Sequence, residues 1–461
     1  MKKLLILLGM SVCTLSVLAE GYQVNVLSAK QTGMGHVGVA MKLGAESMHF
    51  NPAGLVFLNK HVDLSLGVSA VASTAKYKNG AYTAKTDNPL STPLYAYAGY
   101  RIYDNLAAGI SLTTPYGNSL KWPKNWAGVN LIQDISLKSY VLQPTVSYKI
   151  NGKLSIGAGV MLAIGNVNLS RALMSANDFQ VIGKMIAGLP DQMIPAEEKA
   201  YITSLIRDTK VPPAAATLDG KAHVRAGFNI GILYDISAKV SVGLSYRSKI
   251  KMKVKEGEAQ LDYANRQIEE LMGILGTKIP QLAVPKYDQG TFHAQLPLPS
   301  NTTLGVSYRP TDRWELELDL QYVGWNAYDS LNVYFNEPEL GISPIKAKKD
   351  YKNTITARVG AQYKTTDRLF LRAGFYFDQS PIRSANYNPE TPGMNKLGMS
   401  AGLSFEPYKN LQIDFAFLYI QGLGRDGSYT SKNIVTGQDE TFSGHYKSNA
   451  ITASLGLSYK F

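Results

Sequence analysis

Between Trp314 and Tyr322 the chain alternates with a period of two. Trp314, Leu316, Leu318, Leu320 and Tyr322 share one parity, and Glu315, Glu317, Asp319 and Gln321 share the other. Side chains of a strand point alternately to opposite faces, so this segment has one apolar, aromatic-ended face and one acidic face. The pattern recurs. Leu369, Leu371, Ala373, Phe375 and Phe377 oppose Phe370, Arg372, Gly374 and Tyr376, while Leu397, Met399, Ala401, Leu403 and Phe405 oppose Lys396, Gly398, Ser400, Gly402 and Ser404. The last segment puts Ile451, Ala453, Leu455, Leu457, Tyr459 and Phe461 on one face. One such strand fits any half-buried sheet, but a succession of them is the pattern of a transmembrane barrel.

Short polar turns at 103–105, 150–152, 235–237, 309–312, 365–367 and 407–410 each separate two alternating segments and read as hairpin connections. Longer polar or mixed stretches lie near 77–92, 117–131, 171–220, 256–293, 329–349, 380–394 and 424–444. Six short turns and seven long loops predict an all-β, antiparallel transmembrane barrel of about fourteen strands, with both termini on the short-turn side. After residue 20 there is no apolar run of about 18 residues, which excludes membrane helices. About eight strands already close a filled interior, so fourteen enclose space that something else must occupy. Residues 20–59 repeat glycine, lack sustained alternation and precede the first strand, predicted from His61 to Ala75. They are expected to fold inside as an N-terminal hatch or plug, leaving 60–461 as the barrel.

The opening residues set the compartment. Met1-Lys2-Lys3 is basic, Leu4 to Leu18 is apolar, and Val17-Leu18-Ala19 offers a cleavage site, so 1–19 reads as a secretory signal peptide of a Gram-negative cell. Cys13, the single cysteine, leaves with it, and the mature chain has no thiol chemistry. Twenty-eight Tyr against 14 Phe, 41 Gly and a mean hydropathy of −0.10 fit alternating lipid-facing and water-facing positions. The formal charge of +12, two less without Lys2 and Lys3, is scattered among 35 acids. That distribution argues for a positive lumen and loops against lipopolysaccharide rather than for nucleic acid. Glu315, Glu317 and Asp319, with Arg358 and Arg372 on following strands, are expected to brace the wall through opposite charges.

Two loops carry helical periodicity. In 171–220, Phe179, Ile182, Ile186 and Leu189 recur at helical spacing, and Pro195 with Glu197 and Glu198 opens a second helix carrying Tyr201, Ile202, Leu205 and Ile206. In 256–293, Leu261, Ile268, Leu271, Met272 and Leu275 make one face opposite Arg266, Glu269 and Glu270. Packed together, such faces make either a small core or an apolar groove suited to an acyl chain. Lys184 and Arg266 are the candidate cations for a carboxylate head. No catalytic constellation is present. His36, His49, His61, His223, His293 and His445 lack metal-ligand spacing, and there is no G-x-S-x-G or phosphate-binding glycine loop. No enzyme activity, metal or cofactor is expected.

GYQVNVLSAKQTGMGHVGVA (21–40) leads into FNPAGL (50–55), and GFNIGILYDIS (227–237), LSYRSKIK (244–251) and FDQSP (377–381) follow. Together with a tyrosine-rich end, these segments resemble the FadL-type outer-membrane transporters of long-chain fatty acids and other hydrophobic compounds (the FadL/TodX-like family). The family's Gly-aromatic-Gln start, glycine-rich hatch and Asn-Pro-Ala motif are matched by Gly21-Tyr22-Gln23, by Gly33, Gly35 and Gly38, and by Asn51, Pro52 and Ala53. The resemblance implies a fourteen-stranded barrel closed by a hatch, with gating at Gly33, Gly35 and Asn51-Pro52-Ala53. It also implies an outer hydrophobic groove between the loops and lateral release through a gap at an inward-kinked third strand, here Leu106 to Tyr116. Pro115 cannot donate a ladder hydrogen bond and Gly109 loosens the backbone, so a break there is physically reasonable; the alternative is that Pro115 merely ends the strand. The expected function is passive uptake of hydrophobic molecules, long-chain fatty acids in the simplest case, by a monomer in contact with outer-membrane lipid. Aromatic hydrocarbons are the alternative cargo, a general porin or a surface adhesin the alternative class.

Overall fold

A computed structural model of the protein describes residues 21–279, 282–284, 286–340, 344–432 and 438–461; the signal segment 1–19 lies outside the described residues. Fourteen strands form the wall: β1 Val62–Asn79, β2 Leu94–Tyr103, β3 Leu106–Thr113, β4 Asp134–Lys149, β5 Leu154–Ala172, β6 Ala214–Asp235 and β7 Val240–Arg247, then β8 Asn301–Thr311, β9 Trp314–Val323, β10 Thr354–Lys364, β11 Leu369–Asp378, β12 Lys396–Tyr408, β13 Leu411–Gly422 and β14 Asp439–Lys460. Each pairs antiparallel with the next. The ring closes where β1 meets β14, from Asp63 opposite Lys460 to Lys78 opposite His445. Closure leaves no unpaired sheet edge in the hydrocarbon, which a bilayer does not tolerate.

All six short turns join consecutive strands as expected, because the polar dipeptides there interrupt an alternation that resumes on the other side. The apolar parity faces outward: Leu318, Leu320, Leu371, Phe375, Met399, Phe417 and Leu455 are exposed. Tyr148, Tyr234, Tyr308, Trp314 and Tyr459 ring the short-turn end, where amphipathic rings suit the membrane interface. No helix among the described residues is long and apolar enough to cross a membrane.

The long loops contain more strand than the sequence indicated. Ile250–Tyr263, Thr291–Leu298, Ser330–Phe335 and Ile345–Lys348 pair with β6 and with one another above the rim. Leu261 is therefore corrected: it lies in a strand opposite Ala216 and shares no helical face with Ile268. The helix begins only at Arg266, where the Asn265 side chain accepts a hydrogen bond from Ile268 N at 2.9 Å and caps the first turn.

Inside the ring, residues 21–59 fold into α1 (Ala29–Thr32), α2 (Ser47–Phe50) and two 3₁₀ turns, Gly44–Glu46 and Pro52–Phe57. Asn51 opens the second turn: its Oδ1 accepts from Ala53 N, and its Nδ2 donates to Val39 O (2.7 Å) and to Ile232 O of β6 (3.0 Å). The wall glycines leave room for this backbone. A Cβ on Gly374 would sit 2.0 Å from Gly35 N, and one on Gly243 2.1 Å from Val39 O. Gly35 itself has φ +68°, a conformation that glycine adopts without a Cβ clash.

Candidate functional site

The lumenal segment is tied to the wall chiefly through its own backbone. Asp319 Oδ2 accepts from Gly38 N (2.9 Å) and Val39 N (3.4 Å), and Glu317 Oε1 accepts from Ala40 N (2.8 Å). Gln143 and Asn229 donate to Met48 O, Ser147 and Ser155 to Ala53 O, and Arg247 to His49 O. Of the acids expected to brace the wall, Glu317 and Asp319 thus hold the lumenal segment instead, while Glu315 does brace it through Arg309 on β8 (2.9 Å). Arg358, directly across from Asp319 in register, turns to Gln321 (2.7 Å) and to His36 O. Arg372 does brace the wall, through Gln362 and Asp414.

Above this segment, in the extracellular half of the lumen, lies a cavity of about 350 Å³. Arg358, Lys396, Asp378 and Tyr376 stand on its wall side and His36 and Gln23–Val26 on the lumenal segment. Lys396 faces Asp378 across the β11–β12 ladder. His36 is fully buried, and burial, reinforced by the Arg358 guanidinium, holds its imidazole well below the ordinary value, at about 3. It is neutral at physiological pH, so the cations lining the cavity are Arg358 and Lys396 on the lumenal side and Lys138 on β4.

The lining of the cavity runs from lumen-facing residues to exposed Leu90 and Tyr140 in the wall. β3 stops at Thr113 and the chain resumes as a strand at Gly117–Lys121, also paired with β4. In the break, Val24 N donates to Pro115 O (2.9 Å) and Gly117 N to Tyr22 O (2.8 Å), so the N-terminal residues replace the missing neighbour strand. On the other side, residues 86–93 run down the edge of β1 and bond to Ala75, Ser73, Val71 and Ser69. Contacts of Asp87 and Asn88 with Lys121 close the top of the gap, and Leu94 with Thr114 closes the bottom. Among the described residues no hydrogen bond joins 89–93 to 115–120, and a window remains between them. Register fixes its faces: Ser91 pairs with lumen-facing Val71, so Leu90 and Thr92 take the lipid-facing parity shared by Leu94.

A second, apolar cavity of about 80 Å³ lies nearer the extracellular end, among Ile135, Leu169, Met252, Leu296 and Tyr328. Its wall shares Asn118, Leu137, Lys138 and Ser139 with the first, and Tyr22 stands at its boundary. An aromatic cluster closes the extracellular end. Trp122 stacks on Trp126 (4.2 Å), Tyr77 on Phe442 (4.9 Å), and Tyr22 meets Trp325 edge-on (5.0 Å).

The helical residues singled out from the sequence form a different site. Phe179, Ile182 and Ile186 of α3 (Ala176–Ala187), Ile202 and Ile206 of α4 (Ala196–Asp208) and Ile268, Leu271, Met272 and Leu275 of α5 (Arg266–Lys278) pack into one closed core, with Leu189 and Leu205 half-buried against it. None lines either lumenal cavity. Lys184 is exposed, and Arg266 is exposed and paired with Glu270 (3.1 Å). Gly33 and Gly35 lie against the wall backbone at Gly402 and Phe375. Pro115 is at the break, whereas Gly109 lies within the regular ladder, where a Cβ would meet Met48 Sδ at 2.7 Å. Leu90 and Tyr140 escaped the sequence reading. Pro89 and Pro93, bracketing a short stretch before a strand, were the available signal.

A model of the outer membrane protein transport protein family (OMPP1/FadL/TodX) matches residues 10–461. The chain is 24% identical to the long-chain fatty acid transport protein of Escherichia coli K12, covering 88% of each chain. Its fold matches the crystal structure of a Pseudomonas aeruginosa FadL homologue with a TM-score of 0.76 at 21% identity, over 96% of this chain and 100% of that one. The Pseudomonas putida toluene transporter TodX matches at 0.64 and 19%, over 96% and 100%. With the match spanning nearly the whole chain, this outer-membrane β-barrel belongs to the OMPP1/FadL/TodX family of transport proteins, whose members are channels and not enzymes.

Proposed function

We propose that the protein admits acid-headed hydrophobic molecules, long-chain fatty acids in the simplest case, and releases them sideways into the membrane. The observation that carries this reading is one cavity whose wall includes lumen-facing Arg358 and Lys396 and lipid-facing Leu90 and Tyr140. A carboxylate is held by the two cations while its chain lies toward the window, and the molecule leaves without crossing the tightly bonded lumenal segment. First contact falls on the outer surface of the helical cluster, where Val181, Met185 and Tyr201 are exposed over the closed core. Residues 27–59 act as the hatch, and Tyr22 to Val24, which bridge the break in β3 beside both cavities, are the part that moves. The closed ring needs no partner subunit, so the protein works as a monomer among lipid and lipopolysaccharide.

Aromatic hydrocarbons are the second reading, favoured by the small, apolar outer cavity and its rim of rings. The test is uptake of labelled oleate and toluene by cells without their own fatty-acid channel, using the wild type and Ser119→Trp, which fills the window from its β3 side. Lateral release predicts that Ser119→Trp stops uptake while the purified protein still binds ligand. Unchanged uptake overturns it and points to a route through the lumen. Toluene uptake without oleate uptake selects the second cargo.

A further inference from the structure

The two edges of the window differ in chemistry on their lipid side. On the β1 edge, Leu90 lines the cavity and yet is 60% exposed. From Pro89 to Pro93 the strap that carries it is held on one side only. Val71 N bonds Ser91 O, Ser91 N bonds Val71 O, and Ser69 N bonds Pro93 O, but Pro93 and Pro89 have no N–H to return. Both prolines fix φ near −65°, so the strap stays extended while missing rungs to β1.

On the other side, β4 lies just behind the 115–120 segment that it pairs with, and its Lys138 and Tyr140 share the lipid-facing parity of Leu142 and Val146. Both line the same cavity as Leu90. A lysine on the lipid face of a barrel strand is costly unless its ammonium finds the interface or an anion. Lys138 is exposed, in register with Gly117 beside the window and on the wall of both cavities, where an anionic head coming through the window would meet its ammonium.

We propose that Leu90 on the β1 edge, with Lys138 and Tyr140 on β4 just behind the 115–120 edge, form an outer sill at which a single-chain amphiphile with an anionic head is released, its chain passing over Leu90 while Lys138 holds the head. The sill is separate from the Arg358 and Lys396 floor and faces the bilayer. It sets which molecules pass: a slender chain clears Leu90, a wide or branched one does not, and the head transfers from the floor cations to Lys138 before entering the lipid interface. This inference rests on lateral release.

The test measures uptake rate in cells and equilibrium binding to purified protein, for oleate and its neutral methyl ester. Leu90→Trp is expected to cut uptake of both at least tenfold, a loss well beyond any change in their binding to the purified protein. Lys138→Gln is expected to slow oleate severalfold and leave the ester untouched, a split that a purely structural role does not produce. Surface assembly is checked by heat-modifiable mobility on gels, and Leu90→Phe is read if the tryptophan variant does not assemble. Wild-type oleate uptake by both variants, while Ser119→Trp still blocks, overturns the sill and leaves lateral release standing. If Ser119→Trp does not block, lateral release and the sill fall together.

Discussion

Gly38, Val39 and Ala40 present three consecutive backbone N–H groups to the wall, and Asp319 and Glu317 accept all of them. Both acids are buried, so Asp319→Ala strands two donors at a cost of about 1–3 kcal/mol each, whereas Asp319→Asn keeps an accepting oxygen and costs less. The measurement is protease cleavage within residues 21–59 of the folded barrel, expected to be fastest for Ala and intermediate for Asn. His36 predicts a pH effect on the same segment. Its folded pKa is depressed, so its contribution to stability is complete above about 6.5 and is lost as pH falls toward 3, where the imidazole is protonated in both states. The difference in protease resistance between wild type and His36→Gln should therefore be constant from pH 7 to 8 and shrink as pH drops below about 6. At the cavity floor, Arg358→Gln or Lys396→Gln should weaken oleate binding about tenfold, near the worth of one charge-assisted hydrogen bond, and leave methyl oleate within about twofold. Equal losses for both ligands would mean that the cations hold the cavity's shape and not a carboxylate.

At the scale of elements, the break in β3 is completed from outside β3. Pro115 lies in it, but residues 22–24 supply the substitute hydrogen bonds, and Gly109 sits in an unbroken ladder against Met48. Gly109→Ala should therefore loosen the lumenal segment by crowding Met48, read as faster proteolysis, without closing the window. The helical cluster is likewise an element with its own core. Phe179→Ala removes a fully buried ring, worth about 3–5 kcal/mol locally, and should expose α3 to protease. Uptake at high oleate should persist in that variant, because neither lumenal cavity contains Phe179; loss of uptake at every concentration would make the cluster part of the path. The loop helices were legible because 3.6-residue periodicity needs only local sequence. Leu261 was misplaced because its spacing matched both a helix face and the end of a strand, and only the Asn265 cap and the pairing with β6 separate the two.

For the whole molecule, residues 27–59 occupy the lower lumen and aromatic rings cap its extracellular end, and the cavities between them, of about 350 and 80 Å³, are small beside the bore of fourteen strands. In planar bilayers the protein should show no steady open-pore ion conductance, unlike a water-filled porin; a stable large conductance would rule out the closed lumen described here.

Strand number, turn positions and inside–outside parity were written in the sequence, because each depends on the nearest few residues and on the bilayer, which is the same for every barrel. That something beyond the wall's own side chains must occupy the lumen also followed, from the space that fourteen strands enclose. What the carboxylates on β9 hold, which cations face the cavity, and where the wall opens depended on contacts between residues far apart in the chain. Asp319 is 281 positions from Gly38, and the window needs strap, broken strand and N-terminus at once. No local period encodes such meetings; the closing of the ring creates them.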